Sequence, residues 1–88
     1  MLKGLRNVLE NVINKGYETN KNGNIQANIK VDLFKGKTIE IRHYNNLVAI
    51  IECDSKKIVK NNKWWNYSPS TTRLCNDIIK YFDDCELA

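Results

Sequence analysis

Ile25-Gln26-Ala27-Asn28-Ile29-Lys30-Val31-Asp32-Leu33 alternates apolar and polar side chains along its whole length. A strand turns successive side chains to opposite faces. The run therefore predicts a β-strand over about 25–34, with Ile25, Ala27, Ile29, Val31 and Leu33 on a buried face and the polar residues in water. This periodicity is the cleanest in the chain.

Toward the C-terminus, Lys35-Gly36-Lys37 predicts a tight turn into a second strand over about 38–44, where Ile39 and Ile41 continue the alternation. Asn45-Asn46 tolerates left-handed backbone angles and predicts the next turn. The third strand, about 47–53, is apolar on both faces at its start, which places it centrally. Asp54-Ser55-Lys56 turns again, and a short strand over 57–60 carries enough lysine for a sheet edge. Beyond it, Leu74, Ile78, Ile79 and Phe82, with Cys75 near the same stripe, predict a helix over about 69–82. Ser68 or Ser70 would cap this helix, and Pro69 at its first position would give up a donor that has no partner there. An acidic tail, 83–88, follows and is expected to be solvated.

Toward the N-terminus, Leu5, Val8, Leu9, Val12 and Ile13 recur at spacings of three and four, which predicts an amphipathic helix from about Leu2 to Lys15, stopped by Gly16. Tyr17 to Asn24 is polar and contains the turn signal Asn22-Gly23. The expected fold class is α+β: an N-terminal helix, a three- to four-stranded antiparallel meander, and a C-terminal helix packed on the sheet, in one domain.

With 88 residues and 42% apolar side chains, the chain has the size and composition of a single globular domain. No apolar run approaches the roughly 18 residues of a membrane span. Arg6 interrupts any apolar signal core after Lys3, so secretion is not expected. Cys53, Cys75 and Cys85 form no C-x-x-C pair and leave one over, which fits free thiols in a reducing compartment and no metal site. Thirteen asparagines stand beside eleven lysines and ten isoleucines, the residues that A/T-rich codons supply. Residues 1–63 carry twelve Lys/Arg against six Asp/Glu, and 64–88 carry two against four, so a basic body precedes an acidic end. That balance suits an acidic partner, either a protein surface or nucleic acid.

Trp64 and Trp65 are adjacent, so on extended backbone they point to opposite faces: either one is core and the other exposed, or both are packed as a structural pair, as tryptophans usually are. An exposed tryptophan beside Lys57, Lys60 and Lys63 could stack on a base or anchor a protein contact. His43, the only histidine, shares a strand face with Ile39 and Ile41 and reads as structural, because no nucleophile or paired carboxylates lie near it in sequence. Cys75 reads as core, and Cys85 lies in the tail. No dinucleotide, P-loop, zincin or EF-hand pattern occurs, so neither catalysis nor a cofactor is expected.

Tyr44-Asn45-Asn46-Leu47-Val48-Ala49-Ile50-Ile51, then Ile58, an aromatic, and Tyr67-Ser68-x-Ser70-Thr71-Thr72-Arg73-x-x-Asn76 resembles a small domain of unknown function from proteins of bacteriophages, plasmids and their Firmicute hosts. The similarity covers roughly the second half of the chain, and Y-S-x-x-T-T-R is its most specific part. Family members commonly carry a histidine two residues after the second threonine. This chain has Leu74 there, so no role of that histidine transfers. The resemblance implies a compact accessory protein of a mobile element, in the cytoplasm of a bacterial host.

Two functional expectations follow. In the first, the chain binds a host protein, as an inhibitor of a defence nuclease or nucleoprotein complex would, through the corner of Lys57, Lys60, Lys63, Trp64, Tyr67 and Arg73. In the second, the same lysine and tryptophan surface binds nucleic acid. A weaker third is self-association through an open sheet edge.

Overall fold

The structure, a computed structural model, describes residues 3–88. The described chain runs α1 (Lys3–Lys15), β1 (Tyr17–Thr19), β2 (Ile25–Asp32), β3 (Gly36–His43), β4 (Asn46–Glu52), β5 (Lys57–Lys60), α2 (Pro69–Tyr81) and β6 (Glu86–Leu87). Leu2, the expected start of the first helix, lies outside the described residues. No helix among them is long and apolar enough to cross a membrane.

The six strands form one sheet in sequence order, β1 to β6. The first five pair antiparallel, whereas β6 runs parallel to β5 after the crossover through α2. The α+β class and both helices stand as expected. The sheet does not, since six strands replace three or four and one pairing is parallel. Both additional strands lack apolar periodicity. β1 is held by pairing Tyr17 with Asn28 and Thr19 with Gln26. β6 is held by backbone bonds, with Glu86 N–H donating to Lys56 O at 2.8 Å and Ala88 N–H to Ile58 O at 2.8 Å. The acidic tail is thus partly sheet, and β5 is not the edge its lysines suggested.

Cross-strand partners share a face, which aligns Ala27, Ile41 and Ala49, and beside them Ile29, Ile39, Ile51 and Ile58. These pack with Leu5, Val8, Leu9 and Val12 of α1 and with Leu74, Cys75 and Ile78 of α2 in one core. Both helices therefore cover the same face. A bulge opposite Ile41 and Arg42 inserts Val48 into β4, which is why Val48 and Ala49 are both buried. The other face is half-exposed and carries a charged row, where Glu40 meets Arg42 at 2.9 Å and Lys30 at 3.2 Å. Ile13 (60% exposed) and Ile79 (37%), whose spacing placed them in the apolar stripes of the two helices, lie instead on their exposed sides.

The alternation of β2 outlasts its cover. Ile25 and Ala27 are buried, but Val31 is 80% exposed and Leu33, past the strand's end, 98%. The helices do not reach this end of the sheet.

Candidate binding surfaces

Two regions at opposite ends of β3 concentrate what the fold leaves unexplained. The first lies where α2 begins. Ser68 is the N-cap, with extended backbone (φ −144°, ψ 168°), and its Oγ accepts the Thr71 N–H at 3.2 Å while Pro69 fills the first turn. The Ser68 hydroxyl also meets Thr71 Oγ1 at 3.0 Å and Ser70 Oγ at 3.2 Å. Thr71 Oγ1 in turn meets Nδ1 of His43 at 3.1 Å, which links the end of β3 to the helix cap through a buried pair. The hydroxyl cluster is capping material, as expected. The histidine partner, 28 positions away in sequence, was not expected. Burial holds the His43 imidazole below its ordinary pKa, so the ring is neutral at neutral pH.

Tyr44 packs its ring edge-on to His43, with centroids 4.5 Å apart. It does so from a left-handed backbone angle (φ 50°), as does Asn45 (φ 68°). The hairpin turn is therefore Tyr44-Asn45, one residue earlier than expected, and Asn46 opens β4 opposite His43. Left-handed angles are uncommon for a bulky aromatic residue. Here the angle places Tyr44 as one wall of a cavity of about 160 Å³ that Val48, Trp64, Tyr67 and Thr71 complete. On the far side of His43, a second cavity of about 240 Å³ is lined by Gly4, Asn20, Asn24, Ile25, Ser70 and Arg73.

The residues expected to form one corner are only partly brought together. Trp64 and Trp65 lie in a turn, both donating backbone N–H to Asn61 O (3.0 and 2.8 Å), so they do not alternate as on a strand. Neither is fully exposed, and both pack partly against the core. Lys63 Nζ sits 5.5 Å from the centroid of the Trp64 ring, and Tyr67 lies 4.8 Å from it. Tyr67 is itself 67% exposed. Lys60 pairs with Ala49 and so lies on the helix-bearing face, whereas Lys57 pairs with Glu52 and lies on the other. Arg73 is on the exposed side of α2, at the second cavity rather than beside the tryptophans. Lys63, Trp64 and Tyr67 thus form a cluster, and Lys57, Lys60 and Arg73 lie on three separate surfaces. All three thiols are pushed above their ordinary pKa, chiefly by burial. This leaves them poor nucleophiles.

The second region is the β2–β3 turn. Asp32 pairs with Gly36 across it, and Asp32 Oδ1 accepts the N–H groups of Phe34 (2.7 Å) and Lys35 (3.1 Å). Gly36 takes a left-handed angle (φ 74°), which closes a three-residue loop. On this braced turn Leu33 and Phe34 stand 98% and 97% exposed. The sequence did contain a signal for them, since two adjacent large apolar residues at a strand's end cannot both face the core.

In comparisons with models of known protein families, with curated proteins and with solved structures, nothing matches this chain.

Proposed function

We propose that this chain is a small accessory protein of a mobile element that works by binding a host protein, in the manner of an inhibitor of a defence nuclease. The observation that carries the binding reading is the exposed Leu33-Phe34 pair on an ordered turn. Each such side chain gains roughly 1.5–3 kcal/mol on full burial, which this chain alone leaves unrealised. The Asp32 bonds and the Gly36 angle already fix the loop, so less ordering free energy is lost when a partner's apolar pocket takes the pair. Lys35 beside it, held by Glu52 at 3.7 Å, adds a charge suited to a carboxylate at the pocket's rim. The mobile-element setting rests on the likeness of residues 44–51 and 67–76 to phage and plasmid proteins.

The nucleic-acid alternative draws less support. Its lysines and Arg73 do not share one track, and the Trp64 ring already has Lys63 and Tyr67 against it.

The test compares wild type with Leu33→Ser plus Phe34→Ser in pull-downs from host lysate at moderate salt, followed by a cleavage assay on any nuclease recovered. The expected result is a specific protein captured, and its activity reduced, by the wild type only. Equal capture by the double variant would sink the assignment of the turn, and no specific capture by either would sink the binding reading.

A further inference from the structure

The cavity between α1, the Asn20–Asn24 turn and the start of α2 carries a reading of its own. Among the described residues its lining presents hydrogen-bond donors and no carboxylate: the Arg73 guanidinium, the Ser70 hydroxyl, the amide of Asn24 and the imidazole of His43. Arg73 makes no ion pair among the described residues. Asn24 Oδ1 accepts from Asn20 Nδ2, so its NH2 is left to donate.

His43 supplies the independent observation. The residue is 7% exposed, and its Nδ1 is engaged by Thr71, but Nε2 makes no hydrogen bond among the described residues. No fully enclosed side-chain nitrogen or oxygen among them lacks a partner. Nε2 is therefore not fully enclosed, and the ring lines both cavities. If the hydroxyl of Thr71 donates to Nδ1, the ring's proton sits on Nε2 and points outward as a donor.

The start of α2 adds to this. Ser68 Oγ satisfies the Thr71 N–H, and the Ser70 N–H has no intrahelical acceptor behind it. This end of the helix carries the positive pole of its dipole. A volume of about 240 Å³ has room for roughly eight waters at the ~30 Å³ each takes in the liquid, enough for a tetrahedral oxyanion with part of its substituent.

We propose that this notch is a phosphate site, with Arg73, Ser70, the Asn24 amide and His43 Nε2 as its donors. The ligand chemistry is a phosphate group, carried either on a small ester such as a nucleotide or on a nucleic-acid backbone. The site lies at the end of β3 opposite the Leu33-Phe34 turn, roughly 24 Å away at about 3.4 Å per residue. Substitutions at that turn will leave it intact, so the two readings stand or fall separately.

The test uses the whole chain and the fact that it has one histidine. The His43 imidazole signals are followed by NMR at fixed pH while sodium phosphate is added, against sodium chloride at matched ionic strength. The site predicts a saturable shift with phosphate that chloride does not produce. It also predicts that Arg73→Gln, an exposed substitution that spares the core, weakens the apparent Kd for phosphate by about 10-fold or more. Arg73→Lys, which keeps the charge and loses the planar fork, should fall between. Identical responses to the two salts would overturn the proposal, and so would a phosphate curve unchanged by Arg73→Gln. Two further probes separate the sources. Adenosine monophosphate binding like inorganic phosphate, with an unphosphorylated oligonucleotide inert, identifies a small ester. An oligonucleotide that binds through the same Arg73-dependent shift identifies the backbone.

Discussion

At the scale of single residues, the start of α2 shows how one contact can serve two elements. Ser68 caps the helix, and Thr71, whose N–H it accepts, carries the hydroxyl that satisfies His43 on β3. Removing the cap by Ser68→Ala should cost about 1 kcal/mol. Thr71→Val keeps the shape and deletes the hydroxyl, which leaves a buried imidazole nitrogen without its partner, and should cost about 1–3 kcal/mol. Urea unfolding of both variants checks the order, and a Thr71→Val protein as stable as wild type would show that the His43 bond contributes nothing. Tyr44 poses the opposite case. Its left-handed angle is disfavoured for a bulky side chain, and 63% of it is exposed. Asn tolerates that geometry, so Tyr44→Asn should gain up to about 1 kcal/mol while opening the wall of the smaller cavity. The Ser68 cap was legible in the sequence and the His43 contact was not: His43 was readable as a core-facing strand residue, but a partner 28 positions away is delivered only by tertiary packing.

At the scale of elements, what the sequence revealed and what it hid divide by the force that holds each element. The helices and β2 to β5 are held by apolar faces, and the period of those faces is written in the residues. β1 and β6 are short polar segments held by main-chain bonds to a neighbour, so no side-chain pattern announces them. Leu33 continues the alternation of β2 beyond the reach of the helices, so the right period gave the wrong burial. Deleting residues 86–88 removes the bonds to Lys56 O and Ile58 O and turns β5 into an edge. The truncated protein should lose on the order of 1 kcal/mol and show faster amide exchange in β5. Unchanged exchange there would mean that β6 is not formed in solution. The β2–β3 turn is more tightly constrained. A methyl group at Gly36 would collide with the Asp54 carboxylate, and the left-handed angle there disfavours any side chain. The exposed Asp54 side chain can swing aside, so Gly36→Ala should cost about the 1–2 kcal/mol of the backbone angle, measurable as a lowered Tm.

At the scale of the whole molecule, the pH dependence of stability gathers the ionisable groups into one curve whose sign follows from two sites. Burial lowers the folded pKa of His43 from an ordinary 6.5. Between the lowered and the ordinary value the unfolded chain binds more protons, so stability is full above about 6.5 and falls as the pH drops toward the folded value. Glu40 acts in the same direction lower on the scale. Partial burial pushes its carboxyl up, but hydrogen bonds from Arg42 and Lys30 and the charges of both outweigh that and hold it below its ordinary 4.5. Its contribution is present above about 4.5 and is lost as the pH falls through the lowered folded value. Unfolding free energy should therefore decline from pH 7 to pH 3 in two stages, the first assigned to His43 and the second to Glu40 together with Glu18 and Asp32, whose carboxyls are also held below their ordinary pKa by hydrogen bonds. His43→Gln isolates the first stage, since an uncharged amide in that place lowers the plateau at neutral pH but removes the slope just below pH 6.5. A slope that survives the substitution would place the titrating group elsewhere. Phosphate sharpens the test: an anion bound at Nε2 favours the protonated ring and raises the folded pKa of His43 toward its unfolded value, so the first stage of the decline should shrink in phosphate and not in sodium chloride at matched ionic strength.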